Sequence, residues 1–172
     1  PLGCGNFGAV YAGIGDDDGR RVAIKFERSH NGAYAKREWK IMKALNGIAT
    51  PKVYFTGEVD PVGYEHDEYD CDEDRPGRIH VMVMDRLGKS LQVLSDNRPR
   101  HRLTLKELRV VGLECLALLR RVHEAGYVHG DVKPRNVLFL QEMNAVDVSE
   151  GSKDHAVDKL VLCDLDVSAP IG

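Results

Sequence analysis

The feature that most constrains the fold is a change of character at Asp85-Arg86-Leu87-Gly88. Upstream of it, short apolar runs rich in Val, Ile and Tyr alternate around turn residues, the pattern of strands. Downstream, apolar residues recur at helical spacing. This division predicts an α+β chain: a β-rich first part with one helix (1–84), a hinge (85–88), and a mainly α-helical second part (89–172). At 172 residues, 42% apolar and 30% charged, the chain is expected to be globular with a real core. A net charge of −3 gives no footprint for nucleic acid or a membrane surface, and no apolar run approaches the ~18 residues of a span. Cys4, Cys71, Cys115 and Cys163 stand far apart with no Cys-x-x-Cys pair. Neither a zinc site nor a disulfide framework is indicated, so a cytoplasmic or nuclear setting is expected.

In the first part, Leu2-Gly3-Cys4-Gly5-Asn6-Phe7-Gly8 places glycines where a backbone could approach phosphates closely. The segments that follow, Ala9 to Ile14 and Arg21 to Phe26, read as a hairpin around Asp16-Asp17-Asp18-Gly19. A dinucleotide-binding glycine turn would open a helix instead. Lys25 lies in the apolar strand Val22-Ala23-Ile24-Lys25-Phe26. The helix expected over Ala33 to Asn46, stopped at Asn46-Gly47, carries Glu38 on the same face as Ile41, Met42 and Leu45. A carboxylate on an apolar stripe needs a cation, and Lys25 is the predicted partner. A strand is expected over Pro51 to Val59. The acidic run Glu65, Asp67, Glu68, Asp70, Asp72, Glu73, Asp74 reads as a solvated loop rather than a site for a basic partner.

After the strand His80 to Met84 and the hinge, Leu91 to Asp96 suits a short helix, and Arg98 to Arg102 a basic, solvated link. Thr104 and Glu107 form a capping box opening a long helix, expected to turn Leu105, Leu108, Val111, Cys115, Leu119 and Val122 inward and to stop at Ala125-Gly126. Then comes Tyr127-Val-His-Gly-Asp-Val-Lys-Pro-Arg-Asn-Val-Leu-Phe139, with Asp131, Lys133 and Asn136 in one loop entering the apolar run Val137 to Leu140. A carboxylate can orient or deprotonate a hydroxyl, an ammonium can neutralise a transferring phosphoryl group, and an amide oxygen can hold magnesium. A polar linker, Gln141 to Asp158, precedes the apolar strand that delivers Asp164, a second oxygen ligand for a metal.

Taken together, these motifs resemble the signature set of the eukaryotic serine/threonine protein kinases. Val81 to Leu91, with Val128-His129-Gly130-Asp131-Val132-Lys133-Pro134, is most similar to the casein kinase 1 group, in its plant and algal branch. The resemblance implies a bilobal kinase fold using ATP and Mg2+ and acting on a protein substrate, acidic-directed or histone. It implies that Leu2, Gly3, Gly5 and Gly8 cover the nucleotide, and that Val10, Ala23 and Leu138 sandwich adenine. Lys25 would grip the α and β phosphates and be fixed by Glu38. Met84 would be the gatekeeper, with Asp85 and Leu87 offering hinge backbone. Asp131 would accept the substrate proton, Lys133 steady the γ phosphate, and Asn136 with Asp164 bind magnesium. Gly130 stands where many kinases have arginine, and Asp164-Leu165-Asp166 replaces Asp-Phe-Gly, which removes a flexible glycine and adds a charge. The chain opens at Pro1 and stops at Gly172, before an activation segment, so it is expected to be an inactive fragment, truncated after the magnesium motif. Two alternatives stand beside this reading: a non-catalytic pseudokinase scaffold, and a small-molecule phosphotransferase of the aminoglycoside-kinase type.

Overall fold

The computed structural model describes residues 1–5, 8–28, 33–60, 79–98, 100, 102–140, 160–165 and 167–171. The acidic run 65–74, the linker 141–158 and Asp166 lie outside the described residues. Strands β1 (Gly3–Gly5), β2 (Gly8–Ile14) and β3 (Arg21–Arg28) are followed by helix α1 (Ala33–Leu45), then β4 (Val53–Val59) and β5 (Ile79–Asp85). These five strands form one antiparallel sheet in the order β1-β2-β3-β5-β4. Helices α2 (Leu91–Asp96) and α3 (Leu105–Glu124) come next, then the short strands β6 (Tyr127–Val128), β7 (Val137–Phe139), β8 (Leu160–Leu162) and β9 (Ala169–Pro170). β7 pairs with β8 and β6 with β9. A β-rich part carrying one helix, followed by a more helical part, is the α+β bilobal arrangement that the sequence predicts.

Two apolar clusters organise these parts. Under α1, the buried Ile41, Met42 and Leu45 pack with Met82 of β5 and with Leu165, which is 0% exposed. Burying a leucine fully contributes about 1.5–3 kcal/mol, so Leu165 ties the segment after β8 to α1. The second cluster joins Leu91 and Leu94 of α2, Val111, Leu118 and Val122 of α3, and Val137, Phe139, Leu160 and Leu162 of the β7–β8 ribbon. Backbone bonds close the seam: Gly88 N–H donates to Phe139 O at 2.8 Å and Phe139 N–H to Lys89 O at 3.0 Å, so the end of the hinge is zipped to β7.

The long helix keeps the expected inner positions Val111, Cys115, Leu119 and Val122 and differs from expectation only near its start. Thr104 and Glu107 do close a capping box, but Leu105 is 83% and Leu108 55% exposed, while Glu107 and Glu114 are buried. The reason lies at the helix start, where the Glu107 carboxylate accepts from Thr104 N–H at 2.8 Å and pairs with Arg98. The buried face thus starts at Glu107 and continues through 111, 114, 118 and 122, with 105 and 108 outside it. Arg98 is thereby drawn from the expected solvated link onto α3. α1 ends one residue before Asn46, which takes a left-handed φ of 44° as its cap.

Candidate nucleotide and phosphate site

A cleft of about 760 Å³ opens between the sheet and the second part. Leu2, Gly3, Val10 and Ala23 line it from the sheet, Met84, Asp85 and Leu87 from the hinge, and Leu138 from β7. These are eight of the eleven positions expected to contact a nucleotide. Gly8 and Lys25 do not line this cavity. A Cβ on Gly8 would meet the Phe26 carbonyl oxygen at 1.9 Å, so what requires glycine there is the close approach of β2 to β3. Lys25 lies two residues beyond Ala23 on β3 and so shares its face of the sheet. Arg86 and Gly88 of the hinge also line it, as do Pro51, Lys89, Ser90, Val93, Arg135 and Cys163, which the sequence reading missed. Of these only Ser90 carried a local signal: its hydroxyl caps α2 by accepting from Val93 N–H at 3.4 Å.

The hinge is fixed by a side chain. Asp85 accepts a hydrogen bond from Tyr54 OH, and its other carboxylate oxygen accepts from Lys52 N–H at 2.8 Å. Its own N–H donates to Lys52 O at 3.0 Å. The Arg20 guanidinium lies over the Tyr54 ring, 4.6 Å from its centroid.

Beyond the cleft, Lys25 Nζ is 2.7 Å from Glu38 Oε2 and 3.7 Å from Glu27 Oε2. Burial alone would lower the lysine pKa. The charge and hydrogen bond of Glu38, then the charges of Glu27 and Asp164, outweigh it and raise it above the ordinary value. Lys25 is therefore a fixed cation, and Asp164 is near enough to contribute.

The loop after β6 brings its three polar groups together. Lys133 Nζ bonds Asp131 Oδ2, and Asn136 Nδ2 donates to Asp131 O and Oδ2, each at 3.0 Å. The bond from Lys133 is the chief reason that the Asp131 carboxyl lies below its usual range. Because these bonds use the Asn136 amide nitrogen, its oxygen is the atom left for a cation. Asn136 O accepts from Cys163 N–H at 2.8 Å, which sets the Asn136 end of β7 beside the residue preceding Asp164. One carboxylate and one amide oxygen fit magnesium, which takes few protein ligands and completes its shell with phosphates and water.

His129, 1% exposed, braces this arrangement. Its Nδ1 accepts from Asp131 N–H at 3.2 Å, so its Nε2–H donates to Cys163 O at 3.0 Å. Ser168 Oγ donates to His129 O at 2.7 Å. Burial lowers the His129 pKa, which keeps the ring neutral as this double role requires. Gly130, at φ 84°, lets the chain pass Val167, whose carbonyl oxygen would lie 3.0 Å from a Cβ. Asp164 takes a left-handed φ of 67°, unusual for a residue with a side chain. Burial, with the charges of Glu38 and Asp164, also pushes the neighbouring Cys163 thiol up to about 12, so it stays protonated at neutral pH.

A sheet, a hinge and a cleft with paired Lys and Glu on one side and Asp, Lys and Asn on the other define a class. The chain belongs to the protein kinase domain family, whose model matches residues 1–171. Its relatives include proteins named as casein kinase 1 or its homologs. A casein kinase 1-like protein of Oryza sativa subsp. japonica is 32% identical over 150 residues, covering 80% of this chain and 19% of that protein. A protein of Encephalitozoon cuniculi named as a probable casein kinase I homolog is 30% identical over 138 residues, covering 80% and 41%. Casein kinase I homolog 1 of Schizosaccharomyces pombe is 30% identical over 140 residues, covering 80% and 27%. The chain thus spans 19% to 41% of the length of these relatives.

Proposed function

We propose that the chain forms the nucleotide-binding portion of an ATP-dependent protein serine/threonine kinase that transfers the γ-phosphate to a protein hydroxyl. The observation that supports it most is the spacing of the polar groups along the cleft wall. Lys25 follows the lining residue Ala23 by two, Asn136 precedes Leu138 by two, and Asp164 follows Cys163 directly. In this reading Leu2, Gly3, Val10, Ala23, Leu138 and the hinge backbone hold adenine, and Gly5 and Gly8 belong to the loop above the phosphates. Lys25, steadied by Glu38, neutralises the α and β phosphates. Asp131 is ionised at neutral pH and orients the acceptor hydroxyl, taking its proton as the new O–P bond forms and the bond from the γ phosphorus to the bridging oxygen breaks to release ADP; Lys133 balances charge on the γ phosphate. Asn136 and Asp164 would hold magnesium, which when bound supplies further neutralisation of phosphate charge.

The test is transfer from γ-labelled ATP with magnesium by the parent-length protein, on a panel including histones and casein, followed by phosphoamino-acid analysis. Label on serine or threonine is expected. Transfer to an aminoglycoside or another small molecule, with none to protein, would overturn the reading. The scaffold alternative has one observation in its favour: the left-handed backbone at Asp164 precedes a sequence in which Asp166 replaces glycine. Protein that binds ATP, transfers nothing, and gains transfer in Asp166→Gly would support that alternative.

A further inference from the structure

The sheet face under α1 carries charged side chains that the cleft does not use. In the register of three adjacent strands Glu27 stands opposite His80, and His80 opposite Glu58, so three titratable residues share one rung. Glu27 is 4% and His80 3% exposed. At one end of the rung, Glu58 Oε1 is 3.5 Å from His80 Nδ1 and 3.0 Å from Lys36 Nζ on α1. At the other, Glu27 is 3.7 Å from Lys25, whose closer partner is Glu38, again on α1. Trp39 of α1 covers the His80 ring edge-on, with centroids 5.4 Å apart and planes at 67°.

We propose that Lys36, Glu58, His80, Glu27, Lys25 and Glu38 form a closed ring. It leaves α1, crosses β4, β5 and β3, and returns to α1, and it positions the Lys25–Glu38 pair with His80 as its titrating member. Buried carboxylates are costly unless a cation answers them. Lys25 is shared between Glu27 and the closer Glu38, and Lys36 reaches Glu58 from the exposed side. In the strand register an imidazolium at His80 stands between both glutamates and attracts each of them beneath Trp39, an attraction that neutral imidazole gives up. Glu27 of β3 stands opposite His80, Glu58 of β4 lies 3.5 Å from its Nδ1, Trp39 of α1 covers its ring, and Lys36 of α1 acts on it through Glu58. His80 and Glu58 are positioning residues in this account: they act on phosphate chemistry only through α1. The effect on ATP rests on the kinase reading, but the ring itself does not.

Trp39 is the single tryptophan of this chain and reports the ring directly, because an imidazolium quenches a neighbouring indole. In the parent-length protein, the emission that a Trp39→Phe variant lacks is measured against pH. It is expected to change sigmoidally between about pH 5 and pH 8, and His80→Gln should abolish the change. Removing a facing carboxylate in Glu58→Gln should move the midpoint down, and removing the competing cation in Lys36→Ala should move it up. Glu38→Gln, on the far side, should move it down, because Lys25 then neutralises Glu27 alone. Lys36 is exposed, so its variant carries the test if His80→Gln fails to fold. The KM for ATP of His80→Gln relative to wild type should fall with rising pH by about three- to ten-fold over the same interval, with ATP's own titration cancelling in the ratio. A midpoint unmoved by Glu38→Gln, or a flat KM ratio beside a clear His80 titration, overturns the proposal. If no phosphate transfer occurs at any pH, the kinase reading fails, and the midpoints alone decide the ring.

Discussion

Replacing Glu38 by Gln tests the polar pair at its centre, and the structure sets the scale of the effect. At an effective dielectric of about 20, a contact of 2.7 Å is worth about 6 kcal/mol of Coulomb attraction and one of 3.7 Å about 4.5 kcal/mol, before desolvation. Stripping a buried charge of its only partner costs about 3–5 kcal/mol net. Lys25 retains Glu27, and glutamine still offers an acceptor oxygen, so the expected loss is smaller, about 1.4–2.7 kcal/mol. That corresponds to about a 10- to 100-fold fall in kcat/KM for ATP. The fall should exceed any loss of folding stability, since Lys25 would lean towards Glu27 and away from the phosphates. The assay is initial-rate phosphate transfer by the parent-length protein at varied ATP, with a thermal melt to separate misfolding from misplacement. Wild-type kcat/KM in a stably folded Glu38→Gln protein would refute the reasoning. So would a Glu27→Gln variant that lost more than Glu38→Gln, because the contact distances rank the partners the other way.

Two further outcomes follow from the site. Asp85→Ala removes the acceptor that ties the hinge to Lys52 and Tyr54 and should raise the KM for ATP by about five-fold, about 1 kcal/mol, with kcat nearly unchanged; an equal fall in kcat would contradict a role confined to the hinge. His129 is more easily kept neutral in the fold than in the unfolded chain, so its stabilisation is present above its ordinary value near 6.5 and is lost as pH falls through its lowered folded value. Thermal melts should therefore show an acid-side loss of up to about 1.4 kcal/mol per pH unit that is missing from His129→Gln, and identical slopes would refute it.

How much of this was legible in the sequence varies from residue to residue. The Lys25–Glu38 pair could be read because each charge sits on an otherwise apolar face, and such a charge must be answered nearby. The hairpin and the strand feeding the hinge were legible because alternation and turn residues are local. The inner face of α3 was legible over Val111, Cys115, Leu119 and Val122 but not at its start, where Leu105 and Leu108 are exposed and Glu107 is buried. There Glu107 pairs with Arg98, a partnership that neither residue's own surroundings mark in the sequence. β6 and β9, two residues each, carry no period to detect. The braces of the site were hidden for a related reason. His129 to Cys163 spans 34 residues and Tyr54 to Asp85 spans 31, and neither partner is marked by its own surroundings. Leu165 drew no reading of its own from the sequence, and its burial under α1 shows its task.

The central claim is that Asp131 serves the transfer of phosphate to a protein hydroxyl, and single-turnover quench-flow tests it most directly. Parent-length wild type and Asp131→Asn are each saturated with magnesium and γ-labelled ATP, then mixed with excess protein substrate. The account predicts nearly equal ATP affinity and a chemical step slowed by about 10²- to 10⁴-fold in the variant. Transfer by Asp131→Asn at the wild-type rate would contradict it.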